Sequence, residues 1–248
     1  MFSSCDLVYL YDGSLEGFLC CVFESVYTGV VPFDILTRES PLPLLETQYI
    51  TTDQNRAERV RASIPAKISH RAWELICTVF CSCLVQKELR MLEFLLRAYK
   101  KGDRMLDSLG DPLVTVLLGA ERHLFGEAGK LKGFVRFEEI QGGGLAAVIT
   151  PKNFVLPFMA WHFNMRYPND NFIIYDKTHN AALIRQNGES DIIHAENVVF
   201  PEVSKDERMY QALWKNFYDT VAIKGRDNPR CRMTHMPKRY WANMTEVR

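Results

Sequence analysis

Apolar positions change their spacing midway along the chain. Near the N-terminus, Leu7–Tyr11 is a short run, in part β-branched or aromatic, closed by Asp12-Gly13, which predicts a strand and a turn. Ser14 then predicts the N-cap of a helix with Phe18, Val22 and Val26 at helical spacing. Residues 32–53 hold three prolines and little period and read as a loop or linker. Ser69 is placed to cap a long helix through Trp73, Ile76, Phe80, Leu84, Leu92, Leu95 and Leu96, with Gly102 as its stop. Asp111-Pro112 opens another helix to about Lys130, the proline sitting where its missing N–H costs nothing.

After that the period shortens. Residues 133–137 alternate and predict a strand, Gly142-Gly143-Gly144 a hairpin loop, and Leu145–Thr150 the returning strand. Asn153 is read as the cap of a helix through Met159, His162 and Arg166. Phe172–Tyr175 and Ala181–Ile184 predict a hairpin around residues 177–180, and Asp191–Ile193 a further strand. Ser204 begins a helix whose Tyr210, Leu213, Trp214, Phe217 and Val221 form one apolar stripe. The order predicts an α+β fold: helices in the N-terminal half packed on an antiparallel sheet formed mainly by the second half, then a C-terminal helix and a basic extended tail. We read residues 1–248 as one domain, with 224–248 as a basic C-terminal arm.

Composition changes little in this picture. The chain has 248 residues, 47% hydrophobic and 24% charged, which excludes collagen-like and largely disordered classes. Charge changes more. The formal net charge is zero, but residues 1–54 carry −7, residues 55–105 carry +6, residues 106–223 carry −4 and residues 224–248 carry +5. Either basic block could neutralise phosphates, or acidic and basic segments could face one another in the fold. No apolar run approaches the roughly 20 residues of a membrane span, and the first residues lack the pattern of a signal peptide. The seven cysteines are odd in number and mostly inside apolar stretches, so buried thiols in a cytoplasmic protein are expected.

Candidate chemistry is sparse. The glycine triplet is neither a dinucleotide nor a P-loop fingerprint. Cys77, Cys81 and Cys83 lie in a helical pattern rather than a metal knuckle, and no two histidines have ligand spacing, so neither a metal centre nor a resident cofactor is expected. Asp12 and Glu16 lie four residues apart around a strand-to-helix turn, where they could share a proton, bind a metal or simply favour the helix dipole. His162 near Arg166 could act as a base or bind phosphate, or be a core-edge histidine. With Glu127 these are the candidate acid–base residues. The strongest feature is the C-terminus, where Arg226, Arg230, Arg232, Lys238 and Arg239 interleave with Tyr240 and Trp241. Cations neutralise phosphates and exposed aromatics stack on unpaired bases. Pro229 and Pro237 suggest an extended arm, and strapping across the domain with the arginines paired to acids is the other reading.

The chain also resembles a family catalogued as "probable DNA metabolism protein", built on a domain of unknown function. The resemblance rests on Tyr11-Asp-Gly13 with Glu16-Gly17, on Lys67-Ile-Ser69 and on residues 133–137. It continues through Leu156-Pro157, His162-Phe163, Leu213-Trp214, Asn228-Pro229-Arg230 and Met236 to Trp241. It implies a gene neighbour of the radical-SAM class thought to modify or repair DNA, and relatives fused to a uracil-DNA-glycosylase-like domain. This chain lacks a radical-SAM cysteine loop, and ends after Tyr240-Trp241 without room for the glycosylase module. The expected function is therefore a DNA repair or modification accessory that binds nucleic acid and works with the radical-SAM partner, Arg136 and the basic arm contacting phosphates. The alternatives are a stand-alone acid–base enzyme on DNA or nucleotides, and a protein-only scaffold for that partner.

Overall fold

A computed structural model of the chain describes residues 3–4, 6–41, 44–223, 225 and 228–247. Two compact units emerge, Met1–Leu124 and Phe125–Arg248, each with its own apolar cluster. The division falls inside a helix, which is why no linker in the sequence announces it.

In the first unit, β1 (Ser3–Ser4) pairs in parallel with β3 (Val30–Val31). The buried strand β2 (Leu7–Tyr11) is flanked by β4 (Asp34–Thr37) and β5 (Glu46–Tyr49), both parallel to it. These flanking strands lie where the sequence reads as a loop. They are short edge strands with few apolar residues, so only pairing with β2 reveals them. Helix α1 (Leu15–Thr28) starts at Ser14 as predicted, the Ser14 hydroxyl accepting from Gly17 N. Asp53 caps α2 (Gln54–Lys67), an exposed, arginine-bearing helix that buries Ala57, Val60 and Ile64.

The single helix expected after Ser69 is two: α3 (His70–Phe80) and α4 (Lys87–Lys101). At the break the Ser82 hydroxyl donates to Val79 O, competing with the helix ladder, and Gln86 takes a left-handed conformation. Lys87 reaches back to donate to Phe80 O, satisfying a carbonyl that the break leaves open. Helix α5 (Pro112–Phe134) begins at the predicted proline but runs past Lys130.

The second unit holds the five-stranded sheet, in the order β10 (Glu189–His194), β9 (Ala181–Gln186), β8 (Phe172–Asp176), β7 (Leu145–Ile149), β6 (Glu138–Glu139). The α+β class stands. The sheet is mixed, because β7 and β8 run parallel, joined through α6 (Leu156–Arg166). The predicted strand at 133–137 is instead the end of α5 and a loop. It delivers the Phe137 ring to Phe163, Tyr167 and Phe172, with centroids 5.5, 5.0 and 5.7 Å away. Each such aromatic pair adds about 0.5–1.5 kcal/mol beyond burial, which outweighs the local strand pattern. The glycine triplet does close a hairpin, between β6 and β7. Helix α7 (Lys205–Val221) follows Ser204 as expected, but its apolar stripe faces solvent: Tyr210, Leu213, Trp214, Phe217 and Val221 are all exposed.

The C-terminal segment is not an extended arm. Asn228 caps α8 (Pro229–His235), with Pro229 in the first turn where it is tolerated, and a 3₁₀ turn covers Lys238–Asn243. Cys20 and Cys21 are buried, as expected, but Cys83 and Cys231 are exposed, and Cys5 is outside the described residues. Among the described residues, no helix is long and apolar enough to cross a membrane.

Candidate functional site

Asp12 and Glu16 belong to the first unit, Glu127 and His162 to the second. Asp12 follows β2 at the carboxyl edge of the parallel sheet, where open α/β sheets place their ligands. Its carboxylate, however, is already occupied. Oδ1 accepts from Ser14 N at 2.9 Å and from the Ser14 hydroxyl at 2.6 Å, and Oδ2 from the Thr52 hydroxyl at 2.6 Å. Desolvation alone would raise this carboxyl, but the bonds from Ser14 and Thr52 and the charge of Arg38 outweigh it and hold it below its ordinary value. Asp12 is therefore an ionised clamp between the β2–α1 turn and the segment after β5, and Glu16 sits in the first turn of α1.

Glu127 is a buried carboxylate, 3% exposed, that gathers three segments of the second unit. One oxygen accepts from Asn153 N at 2.8 Å and Asn153 Nδ2 at 2.6 Å, and both accept from Lys152 N at 3.1 Å. The other accepts from Arg239 Nη2 at 2.7 Å and the Tyr240 hydroxyl at 2.8 Å. Desolvation opposes its charge, yet the donors from residues 152–153 and Tyr240 prevail and the carboxyl is held below its ordinary value. A carboxylate so saturated has no proton to give and no free lone pair for a substrate. Asn153 thus serves Glu127 rather than capping α6, whose N-cap is Val155.

His162 lies on α6 with its ring edge-on to Phe163 at 5.0 Å. Partial burial, with Lys132 and Arg166 nearby, pushes the imidazole below its ordinary value, toward the neutral form. A second histidine is fixed more firmly: buried Asp176 meets His179 Nδ1 at 2.7 Å and also accepts from Thr178 N and His179 N. Most of those bonds close the β8–β9 turn, so this pair is a turn clamp. Among the described residues no three metal-ligating side chains come together.

The residues proposed from sequence for nucleic acid mostly fasten the C-terminal segment onto the second unit. Arg136 grips Glu246 through Nε at 3.2 Å and Nη2 at 2.5 Å, and Trp214 Nε1 donates to the same carboxylate. Tyr240 is 2% exposed and offers no face for a base. Trp241 Nε1 donates to Met236 O, and the Lys238 ammonium lies 5.9 Å from its ring. Arg239 is held by Glu127 and the Tyr240 hydroxyl. Arg230 is exposed on α8 beside Arg232, and Arg226 lies outside the described residues.

A better stacking surface is in the first unit, where α1, from the acidic block 1–54, meets α2, from the basic block 55–105. Phe23 and Tyr27, one turn apart on α1, stack with centroids 6.2 Å apart and planes 8° from parallel. Arg56 and Arg59 of α2 lie 5.3 and 5.4 Å from the Phe23 centroid. Tyr27 is 81% exposed, and a cleft of about 800 Å³ opens between it, Tyr49 and Arg56. Glu24, half-buried and also accepting from Gln48 Nε2 at 3.1 Å, approaches Arg56 at 3.8 Å. Sequence reading finds the charge of residues 55–105 but not the approach of Arg56 and Arg59 to the Phe23 ring, because α1 and α2 meet only in the folded unit.

Comparison with known families settles what the chain is related to. The profile of a family described as a domain of unknown function (DUF4130) matches residues 85–246. The chain belongs to this family. The matched region takes in Glu127, Arg136, His162 and the whole Glu127 and Glu246 clasp, whereas Asp12, Glu16 and the Phe23–Tyr27 stack lie before it. Curated proteins and solved structures give no match to the chain.

Proposed function

We propose that this protein is a nucleic-acid-binding accessory of a DNA repair or modification system, holding unpaired bases on the Phe23–Tyr27 stack and their phosphates on Arg56 and Arg59. The observation that carries the reading is that stack, flanked by two arginines and open to a cleft. Base–aromatic stacking contributes about 1–3 kcal/mol per base and tolerates any sequence, and arginines beside the rings supply the backbone contacts. Arg230 and Arg232 of α8 form a second, weaker cationic patch. In this reading the exposed stripe of α7 is where the radical-SAM partner docks, since an apolar helix face left in water favours a protein surface.

Fluorescence anisotropy of labelled single-stranded and duplex DNA across a salt series tests the proposal. Single strands should bind more tightly than duplex, with affinity falling as salt rises. Arg56→Ala with Arg59→Ala should weaken binding about tenfold and flatten the log–log salt slope by about 1.4, the value for two lost single-strand phosphate contacts. An unchanged slope and affinity in that variant would remove the α1–α2 surface as the contact. Absence of binding at low salt would overturn the nucleic-acid reading altogether.

A further inference from the structure

Besides its aromatic rings and arginines, the cleft beside Tyr27 is lined by Glu24, Gln48 and Asp53. A carboxylate repels a phosphate, so neither acid serves the backbone of a bound strand. Asp53 has a local role: its Oδ1 accepts from Arg56 N as the N-cap of α2. Glu24 is held but not saturated. Its side chain is 19% exposed, Oε1 accepts from Gln48 Nε2 at 3.1 Å, and Arg56 Nη1 stands 3.8 Å from Oε2, beyond hydrogen-bonding reach. A carboxylate has about four lone-pair sites, so most of this acceptor capacity stays open among the described residues.

We propose that Glu24 reads the Watson–Crick edge of a guanine lying on Tyr27, which makes the cleft selective for single strands that carry guanine. The inference rests on the stacking reading above and adds base choice to it, since stacking by itself accepts any base. Glu24 and Tyr27 are three residues apart on α1, so their side chains are neighbours on its surface and a base on the ring can turn its edge to the carboxylate. Among the common bases, guanine presents two donors side by side, N1–H and the N2 amino group, which match the two oxygens of a carboxylate. Adenine and cytosine present one donor beside a ring-nitrogen acceptor, and thymine one N–H between two carbonyls. In each of those three the carboxylate would meet a lone pair. Gln48 is a positioning residue, because its bond to Oε1 fixes the carboxylate in the cleft wall before a base arrives.

The test is anisotropy of the full-length chain with a short labelled oligothymidylate carrying one central deoxyguanosine, deoxyinosine, deoxyadenosine or deoxycytidine. The deoxyguanosine strand should bind roughly tenfold tighter than the adenosine and cytidine strands, within the range of a good bidentate contact. Deoxyinosine keeps N1–H but lacks the N2 amino group, and should lose most of that gain. Glu24→Gln is close to isosteric but puts an amide donor against guanine's donors, so it should bring the strands to the same affinity; circular dichroism checks that the fold is kept. Equal affinities in the unaltered protein, or a guanine preference that survives in Glu24→Gln, would overturn the assignment and leave the stack as the strand contact. If no strand binds, the stacking reading falls and this inference with it.

Discussion

Replacing Glu127 with alanine is expected to destabilise the second unit by about 3–5 kcal/mol, the usual cost of removing one partner from a buried ion pair. The magnitude follows from what is left behind. Arg239 loses its counter-charge, the Tyr240 hydroxyl and Asn153 Nδ2 lose their acceptor, and two backbone N–H groups at residues 152 and 153 are stranded. Urea denaturation followed by tryptophan fluorescence measures it, and a loss under about 1 kcal/mol would show that the carboxylate does not hold these segments together. The same groups set a pH dependence. Glu127 and Glu246 are both held below their ordinary values, Glu246 by Arg136 against the opposing effect of desolvation. In the unfolded chain each takes up its proton near pH 4.3, before the folded state does. Their stabilisation is therefore complete above about pH 5 and is lost as pH falls through the carboxylate range toward their folded values. Urea midpoints at pH 7, 5, 4 and 3 should fall in that order at the acid end, and more shallowly in the Glu127→Ala variant.

Gly17→Ala is expected to destabilise the first unit by about 1–3 kcal/mol, as overpacking does. In an ordinary helix the change would stabilise, by up to about 1 kcal/mol. Here a Cβ would stand inside van der Waals contact of Asp12 Oδ1, and only 3.0 Å from Thr52 Oγ1 and Tyr11 Cδ2. Asp12 cannot swing aside without releasing Ser14 and Thr52, and Tyr11 is buried with its hydroxyl on Glu88. The clash therefore outweighs the propensity. Thermal melts of Gly17→Ala beside Gly119→Ala, a helical glycine with open space around its Cβ, separate the two effects. A stabilised Gly17 variant would contradict the tight approach of α1 to the Asp12 turn.

The sequence by itself determined the features that depend on near neighbours. Ser14 and Ser204 cap the helices they were expected to cap, because an N-cap bond spans three residues. Pro112 marks the start of α5, and Gly142–Gly144 close the β6–β7 hairpin, because both are matters of local backbone freedom. The apolar stripe of α7 was legible too, though not that it faces water. Tertiary structure decided what local pattern cannot carry. Strands β4 and β5 exist because β2 offers them two edges, and residues 133–137 leave the sheet because Phe137 is drawn into an aromatic cluster. Sequence could mark Glu127 as a candidate acid–base residue, but not its partners Arg239 and Tyr240, over a hundred residues away, which close on it only in the fold. Those two residues, read either as part of a base-contacting tail or as a strap paired to acids, spend their charge and hydroxyl inside the protein. The surface with rings and cations together is the one where α1 meets α2, because a site of that kind is made by packing rather than by adjacency in the chain.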